Sequence, residues 1–264
     1  MIIGAVVAVL FFAGLIGLRG AKNVTEAKST SSTGKALHQQ ALKLKQDGQL
    51  TEARDVYKQI IAEAPDYEMI ETTQAELGAL NLNIIKSNIE TPQTVIHEVQ
   101  SGDTLGKIAK KYGTTIELIK ISNNLSSNVI RVGQKLRVWT GSFNIFVDKS
   151  QNILILRNGE DVVKVYRVST GTNNNTPIGA FVITTKLVDP VWFKSGAVIP
   201  PESPQNVLGT RWLGFDLPGY GIHGTIEPNA IGQQVTAGCV RMINQEVEEL
   251  YDIVPIGTQV KIVD

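Results

Sequence analysis

Gly219-Tyr220-Gly221-Ile222-His223-Gly224-Thr225, followed by Thr236-Ala237-Gly238-Cys239-Val240-Arg241-Met242-Ile243-Asn244, is the stretch on which the reading of this 264-residue chain turns. It holds Cys239, the chain's one cysteine, and His223, 16 residues before it. A thiol near its free pKa is only a few per cent thiolate at neutral pH. It becomes a good nucleophile when a base or a cation stands beside it, and histidine is the natural base. Gly238 has no Cβ and lets backbone approach closely. Backbone N–H groups at such a turn are ready donors to an oxyanion. Taken alone, a single cysteine reads first as a small buried hydrophobe, and a histidine 16 residues away adds little. The surroundings decide between the two.

Outward from this stretch the pattern is β. Residues 144–148, 153–156 and 162–166 read as strands, with Asn158-Gly159 as a hairpin signal between the last two. Residues 181–183 and 260–263 add two more, and only Gln245 to Ile253 reads as a helix, with Asn244 as its cap. The quoted run, with Gly232, Ser169-Thr170-Gly171, Thr176-Pro177-Ile178-Gly179 and Asn206-Val207-Leu208-Gly209-Thr210-Arg211, resembles the catalytic domain of L,D-transpeptidases over nearly all of 143–264. The resemblance implies a mostly-β, sandwich-like domain at 142–264. It implies Cys239 as nucleophile, His223 as base, and N–H groups of Gly238 and Cys239 around the oxyanion. It gives Arg241 a place organising the site or meeting a substrate carboxylate, with a structural salt bridge as the alternative. Gly224, Thr225, Thr236 and Asn244 would shape the site, and Tyr220 and Trp212 would line a substrate groove or pack in the core. The family pattern has Ser-His-Gly-Cys before the nucleophile, where this chain has Thr236-Ala237-Gly238-Cys239. A hydroxyl is kept and a second imidazole is lost.

Upstream, residues 96–139 read as strand, helix, helix, strand. Asp103 is the expected cap of a helix over 104–112, Gly113 its stop, and Thr114 or Thr115 the cap of the next. His97, Val99, Gly102-Asp103-Thr104-Leu105, Ile108, Ala109, Tyr112, Asn123 and Gly133-Gln134 make the unit at 95–140 resemble a LysM domain. That likeness implies a βααβ fold that binds N-acetylglucosamine polymers. Its groove would lie between Gly102, Asp103, Thr104, Leu105 and Ser127, Asn128, Val129, Ile130.

Residues 35–90 are helical by periodicity, with one stripe of Ala36, Leu37, Ala41, Leu42 and Leu44, and another of Ala53, Val56, Tyr57, Ile60 and Ile61. Gly48, Ala53, Tyr57 and Pro65 give a resemblance to a single tetratricopeptide repeat, either a partner-binding hairpin or a spacer. Thr51 with Arg54 makes half a capping box. Ser/Thr-rich residues 21–34 read as a flexible tether. Ile2 to Leu18 carry no charge and, at about 1.5 Å per residue, just span a thin bilayer core. An uncleaved anchor at 1–20 is expected, with a cleaved signal peptide as the alternative. Arg19, Lys22 and Lys28 follow the run and vote for a cytoplasmic body. The downstream chemistry votes for the wall side.

Lys+Arg and Asp+Glu both total 25, so the basic excess of a nucleic-acid binder is absent. One cysteine and three dispersed histidines offer no metal cluster, and neither metal nor other cofactor is expected. The expectation is a multidomain, membrane-anchored enzyme of the bacterial envelope, acting on peptidoglycan glycan strands and stem peptides. Water as acceptor, giving a carboxypeptidase, and a non-catalytic wall-binding scaffold are the alternatives.

Overall fold

The computed structural model describes residues 23–194 and 196–264. The apolar run at 2–18 lies outside them. Among the described residues no helix is long and apolar enough to cross a membrane.

Three helices come first: α1 (Asn23–Gln46), α2 (Leu50–Glu63) and α3 (Ile70–Lys86). The segment expected as a tether is thus helical from Asn23. Ser and Thr cost a helix only a few tenths of a kcal/mol each, and the apolar stripe that follows carries the helix through them. Ala41, Ala53, Tyr57, Ile60, Leu80 and Ile84 form the core of this unit. Gln49 precedes α2 without a side-chain cap, so the half capping box is not used; Thr51 bonds Glu52 instead.

The next unit is β1 (Thr94–Glu98), α4 (Leu105–Tyr112), α5 (Ile116–Ser122) and β2 (Lys135–Trp139), with β1 and β2 antiparallel. Thr104, not Asp103, caps α4, its hydroxyl accepting from the Lys107 N–H. Asp103 is held elsewhere, by His97 Nε2 at 2.9 Å and the Gln100 N–H at 2.8 Å. Thr115 caps α5.

The last unit begins with β3 (Phe143–Asp148), β4 (Ile153–Asn158), β5 (Asp161–Arg167) and β6 (Thr170–Gly171). It continues through β7 (Gly179–Val188), the hairpin of β8 (Trp192–Lys194) and β9 (Ala197–Ile199), β10 (Arg211–Phe215) and β11 (Gly221–His223). It ends with β12 (Gln234–Thr236), β13 (Val240–Arg241), α6 (Asn244–Ile253) and β14 (Gln259–Val263). Eight strands run in the order β13-β11-β10-β7-β14-β3-β4-β5. The long β7 serves both halves: residues 179–182 pair with β14 and 183–188 with β10. α6 seals one side with Val247, Leu250 and Ile253, against Leu213, Ile222 and Val240. Fully burying each such side chain contributes about 1.5–3 kcal/mol.

The units lock together through polar contacts. Asn81 of α3 donates to the Val163 carbonyl of β5 at 2.8 Å, so α3 lies along the outer strand of the sheet. Thr115 donates to the Asp252 carbonyl at the end of α6. Arg137 of β2 is 3% exposed and donates to the carbonyls of Ile84 (3.3 Å), Ile85 (3.0 Å) and Ile89 (2.7 Å). These include the orphan carbonyls at the C-terminal end of α3.

Arg137→Met keeps the apolar stem and removes all three bonds. Hydrogen bonds from a charged donor contribute about 1.5–3 kcal/mol each before relaxation. The unfolding midpoint, followed by circular dichroism, is expected to drop by several degrees. An unchanged midpoint would mean that the apolar face alone holds α3.

Candidate active site

β11 and β13 lie side by side and parallel, with Ile222 opposite Val240 and His223 opposite Arg241. Strand alternation puts His223 and Arg241 on one face, and the same register carried back two residues brings Cys239 opposite Gly221. This pairing is the reason that His223 and the segment leading into Arg241 lie on neighbouring strands.

His223 is 3% exposed, and its Nδ1 lies 2.7 Å from the Gly224 carbonyl. A carbonyl only accepts, so Nδ1 carries the proton and Nε2 is left with a lone pair. Trp212, directly across from it on β10, stacks on the imidazole with centroids 6.0 Å apart at 20°. Burial pulls the His223 pKa down to about 4, with the nearby Arg241 cation adding to the effect. The backbone at Gly224 and Leu208 opposes this by favouring the protonated ring. At neutral pH the imidazole is therefore uncharged.

Cys239 is half-buried in the turn between β12 and β13. Burial pushes its thiol above the ordinary range, against the pull of the Gly221 backbone and Arg241. The thiol donates to the Gly219 carbonyl at 3.5 Å. Among the described residues its hydrogen bond thus goes to the 219–221 turn and not to His223.

Thr236 knits the turn: its hydroxyl donates to the Cys239 carbonyl at 2.7 Å and accepts from the Gly238 N–H at 3.1 Å. The Gly238 N–H, expected at the oxyanion, is therefore engaged by Thr236, and of the expected pair the Cys239 N–H is the remaining donor. Gly238 has φ +140, and a Cβ there would stand 2.7 Å from the Tyr220 ring, so only glycine fits. Ala237 is exposed.

Asn244 is the first residue of α6, and Ile243 stands at the cap position without a side-chain bond. The Asn244 side-chain Oδ1 instead accepts from the N–H groups of Thr225 (2.9 Å) and Thr210 (3.3 Å). It clamps two loops beside His223 rather than capping its helix. Thr225 is buried and accepts from the Glu227 N–H. Gly224 packs under the same carboxamide. Arg241 is 7% exposed and pairs with Glu227 at 3.1 Å, while its Nε is buried without a partner. The salt bridge is thus present, with a donor to spare. Glu227, in the loop after β11, carries no local signal, because its partner lies 14 residues away on β13.

In the βααβ unit the two loops expected to bind glycan differ. Ser127, Asn128 and Val129 are exposed, and Ser127 and Val129 line a surface recess with Arg131, Val132 and Gln134. The loop from Gly102 to Leu105 does not line that recess. Leu105 is 2% exposed and belongs to the core, because it opens the apolar face of α4. Thr104 is occupied by its cap and Asp103 by His97. Gly102 and Ile130 remain accessible.

The unfolded imidazole titrates near 6.5 and the folded one near 4. Between these values the unfolded chain binds more protons, so stability falls as pH drops through the window. At about 1.4 kcal/mol per unit the loss is roughly 3 kcal/mol. Unfolding midpoints from pH 7 to pH 4 are expected to fall more steeply in the wild type than in His223→Gln. Parallel curves would show that the ring is not held neutral.

Residues 142–262 match the family model of the L,D-transpeptidase catalytic domain (YkuD), and residues 97–139 match that of the LysM domain. YqjB of Bacillus subtilis (strain 168), which is named as an L,D-transpeptidase, is 42% identical over 126 residues, covering 46% of this chain and 70% of that protein. YkuD of Bacillus licheniformis, named likewise, is 32% identical over 176 residues, covering 64% of this chain and 98% of that protein. An L,D-transpeptidase structure from Mycobacterium smegmatis is similar at a TM-score of 0.39 and 20% identity, over 51% of this chain and 65% of that one. Bearing a LysM domain ahead of a catalytic domain that shares the sequence of these relatives, the chain belongs to the L,D-transpeptidase family.

Proposed function

We propose that this chain is a peptidoglycan L,D-transpeptidase that works through a Cys239 thioester. The observation that carries the reading is the β11–β13 pairing, which sets a neutral, oriented His223 and the Arg241 cation on the face that Cys239 extends.

The donor is a stem tetrapeptide. The Cys239 Sγ attacks the carbonyl of the third residue, and His223 Nε2 takes the thiol proton. The carbonyls of Gly224 and Leu208 support the imidazolium so formed. That proton passes to the departing amine, and D-alanine leaves. A side-chain amine of a second stem, or of a protein to be attached, then loses a proton to Nε2 and attacks the thioester, which restores the thiol. The Cys239 N–H holds the developing oxyanion. Arg241 keeps positive charge beside the thiolate, which lowers the cost of forming it. Trp212 and Tyr220 border the site, the first against His223 and the second against Gly238.

The LysM domain supplies glycan affinity through the exposed Ser127–Ile130 loop and its recess, and so raises the local concentration of stems. The helical unit serves as a brace, since α3 is fastened to β5. The uncharged run at 2–18 supports a membrane anchor, and peptidoglycan as substrate supports a body on the wall side.

The test uses the full chain in detergent, because Arg137 ties the LysM domain to α3 and a cut before β1 would strip that support. Incubated with purified disaccharide-tetrapeptide and followed by mass spectrometry, it is expected to yield a cross-linked dimer with loss of D-alanine. Tripeptide alone would replace the reading with a carboxypeptidase. Cys239→Ala is expected to abolish turnover, at least a thousandfold, while sedimentation with peptidoglycan sacculi stays at the wild-type level. Loss of both activities together would sink the division of labour.

A further inference from the structure

Lys149 is a lysine buried to 1% exposure in the turn between β3 and β4, and no step above uses it. Lysine is almost never fully buried unless its charge is paired. Its Nζ donates to the Asn174 carbonyl at 3.0 Å and stands 3.9 Å from an Asp264 carboxylate oxygen. The Asn174 side chain in turn donates to both Asp264 oxygens, at 3.0 and 3.1 Å. An ammonium and a carboxylate therefore grip one residue from its two ends.

That residue sits in an unusual turn. Asn173 (φ 53) and Asn174 (φ 63) are left-handed in succession. Asparagine tolerates this conformation as a single residue, and successive left-handed residues need outside support.

The turn leans on the nucleophile segment. Thr172 donates to the Thr236 carbonyl at 2.9 Å. A Cβ at Gly171 would come 3.0 Å from the Gly238 Cα, so the two backbones are in contact. A Cβ at Gly238 would meet the Asn175 carbonyl at 3.4 Å. β6 and β12 pair in parallel over the same residues, Thr236 opposite Gly171.

We infer that Lys149 is a positioning residue for Cys239: by holding the Asn174 carbonyl it sets the Thr172–Asn175 turn, and that turn sets the backbone of residues 236–239. The inference rests on the reading of Cys239 as nucleophile for its effect on turnover, and on the backbone geometry alone for its effect on the turn.

The experiment compares wild type, Lys149→Met and Lys149→Arg as full chains in detergent. Amide hydrogen exchange is followed in peptides covering 234–240 and, as reference, 153–158. Lys149→Met is expected to speed exchange at 236–239 at least tenfold while the reference is unchanged. With disaccharide-tetrapeptide, its kcat is expected to fall at least tenfold with KM within twofold. Lys149→Arg, which keeps a donor for the carbonyl, is expected to recover most of both. If Lys149→Met does not fold, Lys149→Gln, whose shorter side chain falls short of the Asn174 carbonyl, is expected to shift exchange at 236–239 and kcat in the same direction. Exchange at 236–239 equal to wild type overturns the inference, as does faster exchange spread equally through 153–158. A wild-type chain that folds but shows no turnover overturns the proposed function instead, and leaves the exchange comparison to decide this one.

Discussion

Two residues of parallel strand pairing, β11 against β13, hold the site together. Parallel strands cannot be joined by a tight hairpin, so the chain must travel from His223 out to β12 and back before it can lie down beside itself. That excursion delivers Thr236, Gly238 and Cys239 as a turn just ahead of β13. The charges follow from it: His223 and Arg241 share a face because they are in register, and the cation acts on both the imidazole and the thiol. Trp212 on β10 completes the arrangement by stacking on the ring from the other side.

The electrostatics describe a site at rest rather than an ion pair ready-made. Burial works against charge on His223 and on Cys239 alike, so the neutral pair is the stable resting form. Backbone carbonyls at His223 and the Arg241 cation near Cys239 each favour the charged product of proton transfer. In the proposed reaction the transfer is thus costly without substrate, with the Arg241 cation favouring the thiolate and the backbone at His223 favouring the imidazolium.

Much of this was legible in the residues, because the informative ones are local. Glycines at tight turns, the Thr115 cap of α5, and the strand-forming runs with their Asn158-Gly159 hairpin announce their structure within a few positions. What was not legible depended on partners far away in sequence. Asn244 looked like a helix cap because it opens a helix, yet its oxygen is claimed by Thr210 and Thr225. Asp103 looked like a cap and was taken by His97, leaving Thr104 to do the work. The Gly238 N–H looked free for an oxyanion and was taken by the Thr236 hydroxyl. Leu105 sat inside a binding motif and belonged to the core. In each case a polar or apolar group found a tertiary partner that no local pattern encodes. Residues 23–34 failed for the opposite reason: composition suggested a tether, and continuity with the amphipathic stretch of α1 outweighed it.

α3 has a consequence beyond bracing. β5 is the last strand of an eight-stranded sheet, and an open last strand offers a row of unpaired N–H and C=O groups. Asn81 covers part of that row by bonding the Val163 carbonyl. The helical unit thus lies over an edge that would otherwise present open backbone groups to a further strand.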